Sequence, residues 1–62
     1  MVLYAIQFTK DKNFFYNEDE NMYIEGITKA TFYDKVEDVL SIILVKGLHG
    51  TGLVVGYRLE AI

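Results

Sequence analysis

The stretch Thr31–Gly47, TFYDKVEDVLSIILVKG, decides the fold, because along it the spacing of apolar residues changes from two to between three and four. Phe32, Val36, Val39, Leu40, Ile43 and Leu44 recur at i, i+4, i+7, i+8, i+11 and i+12, while Lys35, Glu37, Asp38 and Ser41 fall on the opposite side. This spacing predicts an amphipathic helix over residues 32 to 46. Asp34 followed three residues later by Glu37 resembles a capping box with Asp in place of Ser or Thr, and Thr31 is the competing N-cap. Lys46 suits the negative end of the helix dipole, and Gly47 suits a left-handed stop.

Upstream of the helix the period is two. Val2, Tyr4, Ile6 and Phe8 share one face of a strand and Leu3, Ala5, Gln7 and Thr9 the other. The polar run Lys10-Asp11-Lys12-Asn13 separates it from Phe14-Phe15-Tyr16, which predicts a hairpin. Asn17-Glu18-Asp19-Glu20-Asn21 reads as an exposed tip, and Met22-Tyr23-Ile24, closed by Glu25-Gly26, as a third short strand. Downstream, Leu53, Val55, Tyr57, Leu59 and Ala61 alternate with Val54, Gly56, Arg58, Glu60 and Ile62, and the first set is expected to face the helix. The order β-β-(β)-α-β predicts an α+β fold in two layers: one amphipathic helix packed on a small three- to four-stranded, mainly antiparallel sheet. No repeat, linker or low-complexity tract divides the chain, so residues 1–62 read as a single domain.

A domain of 62 residues buries only about 60% of the surface its unfolded chain exposes, and small scaffolds compensate with disulfides, metals or association. With no cysteine, disulfides and cysteine-type zinc sites are excluded. The expected outer sheet face carries Leu3, Ala5, Val54 and Ile62, and four phenylalanines and five tyrosines are many for so small a core. Both features predict a homodimer.

The net charge of −3, with Lys10, Lys12, Lys29, Lys35, Lys46 and Arg58 scattered, argues against direct nucleic-acid binding, which relies on clustered cations. The same lack of a positive groove argues against a stacking platform of Tyr4, Tyr16, Tyr23, Tyr33 and Tyr57. The longest apolar run, Val39 to Val45, is interrupted by Ser41 and falls short of the roughly 20 residues of a membrane span. Met1-Val2-Leu3-Tyr4 lacks a basic leader, so a cytoplasmic location is expected.

Candidate chemistries fail on spacing. Asn17, Asp19 and Asn21 match the first, third and fifth positions of a calcium loop, but Met22 stands at the glycine position and Thr28 at that of the terminal glutamate. Gly47, Gly50 and Gly52 follow a helix and precede a strand, the reverse of a phosphate loop. His49 has no cysteine or nearby serine to activate, and the carboxylate pairs Glu18 with Glu20 and Glu37 with Asp38 define no pocket. No enzyme activity and no cofactor is therefore expected. A surface remains: the acids Glu18, Asp19 and Glu20 can steer encounter with a basic partner while Tyr16 and Tyr23 anchor it.

The opening strand at Tyr4-Ala5-Ile6, the aromatic strand Phe14-Phe15-Tyr16, the run Ile27-Thr28-Lys29-Ala30-Thr31-Phe32 leading to Glu37-Asp38, and the terminal strand together resemble the small uncharacterised proteins encoded in phages and prophages of low-GC Gram-positive bacteria. That resemblance implies an accessory protein in the host cytoplasm that binds and modulates a host replication, transcription or antiviral-defence protein. Two other readings stand beside it. One is a small-ligand or nucleotide binder whose pocket forms between subunits, with amides of the 47–52 loop reaching an anion. The other is a structural subunit of a larger assembly.

Overall fold

A computed structural model describes residues 1–58. Strand β1 (Val2–Phe8) is central and pairs on one side with β2 (Phe14–Asn17) and on the other with β4 (Gly52–Arg58). β3 (Met22–Glu25) completes an all-antiparallel sheet in the order β3-β2-β1-β4. Helix α1 (Val36–Lys46) packs on one face, giving the two-layer α+β fold that the sequence predicts, with the third strand present.

Both hairpin turns are built by side chains that imitate backbone. The carboxylate of Asp11 accepts the amide of Asn13 at 2.9 Å, and its carbonyl accepts the amide of Phe14 at 3.1 Å, so the chain reverses without a glycine. In the second turn the Asn17 side chain accepts the amide of Glu20 at 2.9 Å, and Asn21 takes the left-handed conformation that asparagine tolerates.

Ile6, Tyr16 and Val39 form the buried centre between sheet and helix, surrounded by Tyr4, Tyr23, Tyr33, Ile42, Ile43, Leu48 and Val54. The helix ends as its sequence implies. Gly47 is left-handed, its amide donates to Leu44 O, and the amide of Leu48 donates to Ile43 O at 2.8 Å. This Schellman arrangement folds Leu48 back onto Ile43 and into the core.

The helix start departs from expectation. It lies at Val36, with Lys35 at the N-cap and no side-chain cap from Asp34 or Thr31. The competing structure is an isolated bridge to β1: Tyr33 exchanges both backbone hydrogen bonds with Tyr4 (2.7 and 2.8 Å), and the amide of Thr31 donates to Tyr16 O. Residues 31–33 thus continue the line of β2 beside β1, and the Thr31 hydroxyl accepts the amide of Glu18 instead of capping a helix. Phe32 leaves the helix altogether and meets the ring of Tyr57 edge-on at 6.2 Å. On that same outer face Phe15 is buried; a 3-10 turn at Ile27–Lys29 packs on β2, held by the Asn17 amide on Lys29 O at 2.8 Å.

The phase of β4 is also reversed. Its register pairs Ile6 with Val54 and Ala5 with Val55, so Gly52, Val54 and Gly56 face the helix, while Leu53, Val55 and Tyr57 lie on the outer face. The cause is volume. A Cβ at Gly52 would stand 2.5 Å from the Ile6 side chain and 2.8 Å from the Tyr23 hydroxyl, and one at Gly56 would touch the Tyr4 ring. Large residues on β1 occupy the space that side chains on β4 would need, so the strand turns its glycines inward. The expected outer residue Val54 is therefore a core residue, and Leu59, Glu60, Ala61 and Ile62 lie outside the described residues.

Candidate functional site

The five residues singled out as a contact surface separate into two groups. Asp19 and Glu20 are exposed on the turn between β2 and β3. Glu18 is half-buried, its carboxylate accepting the Tyr33 hydroxyl at 3.0 Å. The tyrosines point the other way. Tyr16 is 2% exposed and donates its hydroxyl to the Asn21 side chain. Tyr23 packs on Phe8 at 4.5 Å between ring centres, and its hydroxyl bonds that of Thr51 at 2.9 Å. The register puts Tyr16 and Tyr23 opposite each other on the helix side of adjacent strands, so both pack in or against the core, and Tyr23 reaches Thr51 ahead of β4, rather than flanking the acids as anchors.

Burial pushes the hydroxyls of Tyr16 and Tyr33 above the ordinary phenol range, and the nearby negative charge of Glu18 adds to the effect in both. Both rings are neutral at physiological pH. Glu18 thus ties the acidic turn to Tyr33 and so to the segment that enters the helix.

The glycine connector is used internally. The amides of Thr51 and Gly52 both donate to Leu48 O, at 3.0 and 2.7 Å, leaving neither free to cradle an anion. His49 is exposed on this turn. Among the described residues no pocket forms, no group of three carboxylate or histidine side chains is gathered to hold a metal, and no helix is long and apolar enough to cross a membrane.

The largest feature that the periodicity failed to separate is on α1. Leu40 and Leu44, expected against the sheet, are 53% and 77% exposed, and Val45 is 76% exposed. Val36, Leu40 and Leu44 form a row at i, i+4, i+8 on the solvent side, with Val45 nearby and Glu37 and Asp38 at the N-terminal end. Val39, Ile42 and Ile43 supply the buried side. The signal was present in the sequence: VEDVLSIILVK has apolar residues at positions 36, 39, 40 and 42–45, more than one stripe against a sheet can cover.

No protein-family model matches the chain, and neither does any curated protein sequence or solved structure. Geometry alone defines its class, a two-layer α+β domain with an apolar helix face turned to solvent.

Proposed function

We propose that this protein is a phage-type accessory protein that acts by binding, docking the outer row of α1 into an apolar groove of a host protein and thereby modulating or inhibiting it. The observation that carries the reading is the exposure of Val36, Leu40, Leu44 and Val45 on one short helix. Leaving such residues in water forfeits burial worth about 1.5–3 kcal/mol for each fully buried side chain, and helix-in-groove recognition uses this i, i+4 spacing. Charge specifies the partner further. Asp34, Glu37 and Asp38 are exposed at the N-terminal end of the row, and the net charge is −3, so the complementary groove has a basic rim at that end. The acids Asp19 and Glu20 add to long-range steering and not to the anchoring contact. The host role in replication, transcription or defence rests on the resemblance of the strand and helix segments to phage-encoded proteins.

The test is comparative capture from bacterial lysate. A host protein retained by the wild type and by an Asp19→Lys, Glu20→Lys variant at low added salt, but lost with Leu40→Gln, Leu44→Gln, supports the reading. A set of captured proteins that does not change with the helix substitutions refutes it.

A further inference from the structure

The sheet has two edges, and they are built differently. β3 is four residues long, is flanked by the acidic turn, and carries Glu25, so it follows the usual pattern of a protected edge. β4 is seven residues long, GLVVGYR, with no proline, no lysine and a single charge at its end. Among the described residues no segment pairs with its far side.

The backbone groups on that far side can be assigned. The amide of Thr9 donates to Thr51 O, and Tyr4 spends both backbone groups on Tyr33, so the hydrogen-bonded pairs of the β1–β4 ladder are Gln7–Leu53, Ala5–Val55 and Leu3–Tyr57. By the alternation of an antiparallel ladder, the amides and carbonyls of Val54, Gly56 and Arg58 point outward. Such an edge is satisfied by another extended strand.

We infer that the strand is β4 of a second copy, paired antiparallel about a two-fold axis at Val55. In this register Leu53 lies opposite Tyr57, Val54 pairs with Gly56 and Val55 meets itself, while Gly52, whose amide is held by Leu48 O, meets Arg58 through its carbonyl alone. Leu53, 54% exposed in the single chain, is covered by the partner copy's tyrosine at the same face. The outer-face band of Phe32, Tyr57, Val55 and Leu53 then runs unbroken across the seam. Electrostatics permits the pairing. The two copies of Arg58, six residues apart in this register, are separated by about 20 Å at ~3.4 Å per residue, beyond a screening length of about 8 Å. The helix row used in the proposed function is left free, so the two inferences stand or fall separately.

Because the chain has no cysteine, single-cysteine variants report the register directly. The two Val55 positions form a non-hydrogen-bonded pair with Cα atoms about 4.5 Å apart, within the span of a disulfide, whereas the two Leu53 positions are offset by about 14 Å. Under mild oxidation Val55→Cys is expected to convert largely to a covalent dimer and the more exposed Leu53→Cys at least tenfold more slowly. In the unmodified protein, amide exchange at Val54, Gly56 and Arg58 is expected to slow at least tenfold between low-micromolar and near-millimolar concentration. Cross-linking of Leu53→Cys at a rate equal to or above that of Val55→Cys overturns the inference, as does exchange at those three amides that is independent of concentration. The exchange measurement decides if the Val55 variant fails to fold. A set of captured proteins unchanged by Leu40→Gln, Leu44→Gln, with the covalent dimer intact, would overturn the proposed function alone.

Discussion

The two sides of α1 are nearly equal in apolar character and opposite in fate. Val39 is fully buried against Ile6 and Tyr16, while Leu44, five residues along, is 77% exposed. Hydrophobicity therefore does not decide which side of this helix makes the core. The sheet has few core side chains to offer, chiefly Ile6, Tyr16, Tyr4 and Val54, and it covers one strip of the helix. Whatever apolar surface remains is available for association.

Substitutions can break this comparison, and the largest effect is expected beneath the buried side. Ile6→Ala removes the central fully buried side chain and should cost about 4 kcal/mol. A domain of this size has a total stability of about 3–9 kcal/mol, so this loss removes nearly half of it or more, and the urea midpoint followed by far-ultraviolet circular dichroism should fall in proportion. Val39→Ala should cost about 2 kcal/mol by urea titration, two methyl groups plus an incompletely closed cavity.

A smaller effect is expected at the hinge between the Tyr33 bridge and the helix. Tyr33→Phe removes the hydroxyl that Glu18 accepts and should cost about 1 kcal/mol at neutral pH. Its pH dependence has a definite sign. The folded chain retains the Tyr33 proton after the unfolded chain has lost its own, so the stabilisation is complete below about pH 10 and is lost as pH rises above it. The wild-type urea midpoint should fall between pH 9 and 11, and the fall should be shallower in the variant. An equal slope would mean that Tyr33 does not sense its burial.

The smallest effect should come from the exposed side of the helix. Leu44→Gln replaces an exposed leucine with another good helix former and should change stability by no more than about 0.5 kcal/mol, measured in dilute solution. A loss as large as that of Val39→Ala would show that the row is already covered within the protein and would erase the difference between the two sides.

The local elements were legible in the sequence. Alternation marked β1, the aromatic run marked β2, Asp11 and Asn17 marked turns through their own side-chain hydrogen bonds, and Asn21 did so through its tolerance of the left-handed backbone. Lys46-Gly47 marked the helix end, because a left-handed stop is a property of the glycine itself. The acids Asp19 and Glu20 were legible as surface, because carboxylates without a buried partner stay in water.

What the sequence by itself determined, then, is the set of elements and their order, since period, turn chemistry and capping act over a few neighbouring residues. Only the tertiary structure decided how those elements face one another. Tyr33 bridged to β1 instead of entering the helix because Tyr4 had unpaired backbone groups beside it, and β4 turned its glycines inward because Ile6 and Tyr4 already filled the space. Tyr16 and Tyr23 went inside because their strands set that phase, and Leu40 and Leu44 stayed outside because the sheet could cover no more of the helix. Each of these outcomes depends on the volume or hydrogen-bonding groups of residues distant in the chain, which no local pattern encodes.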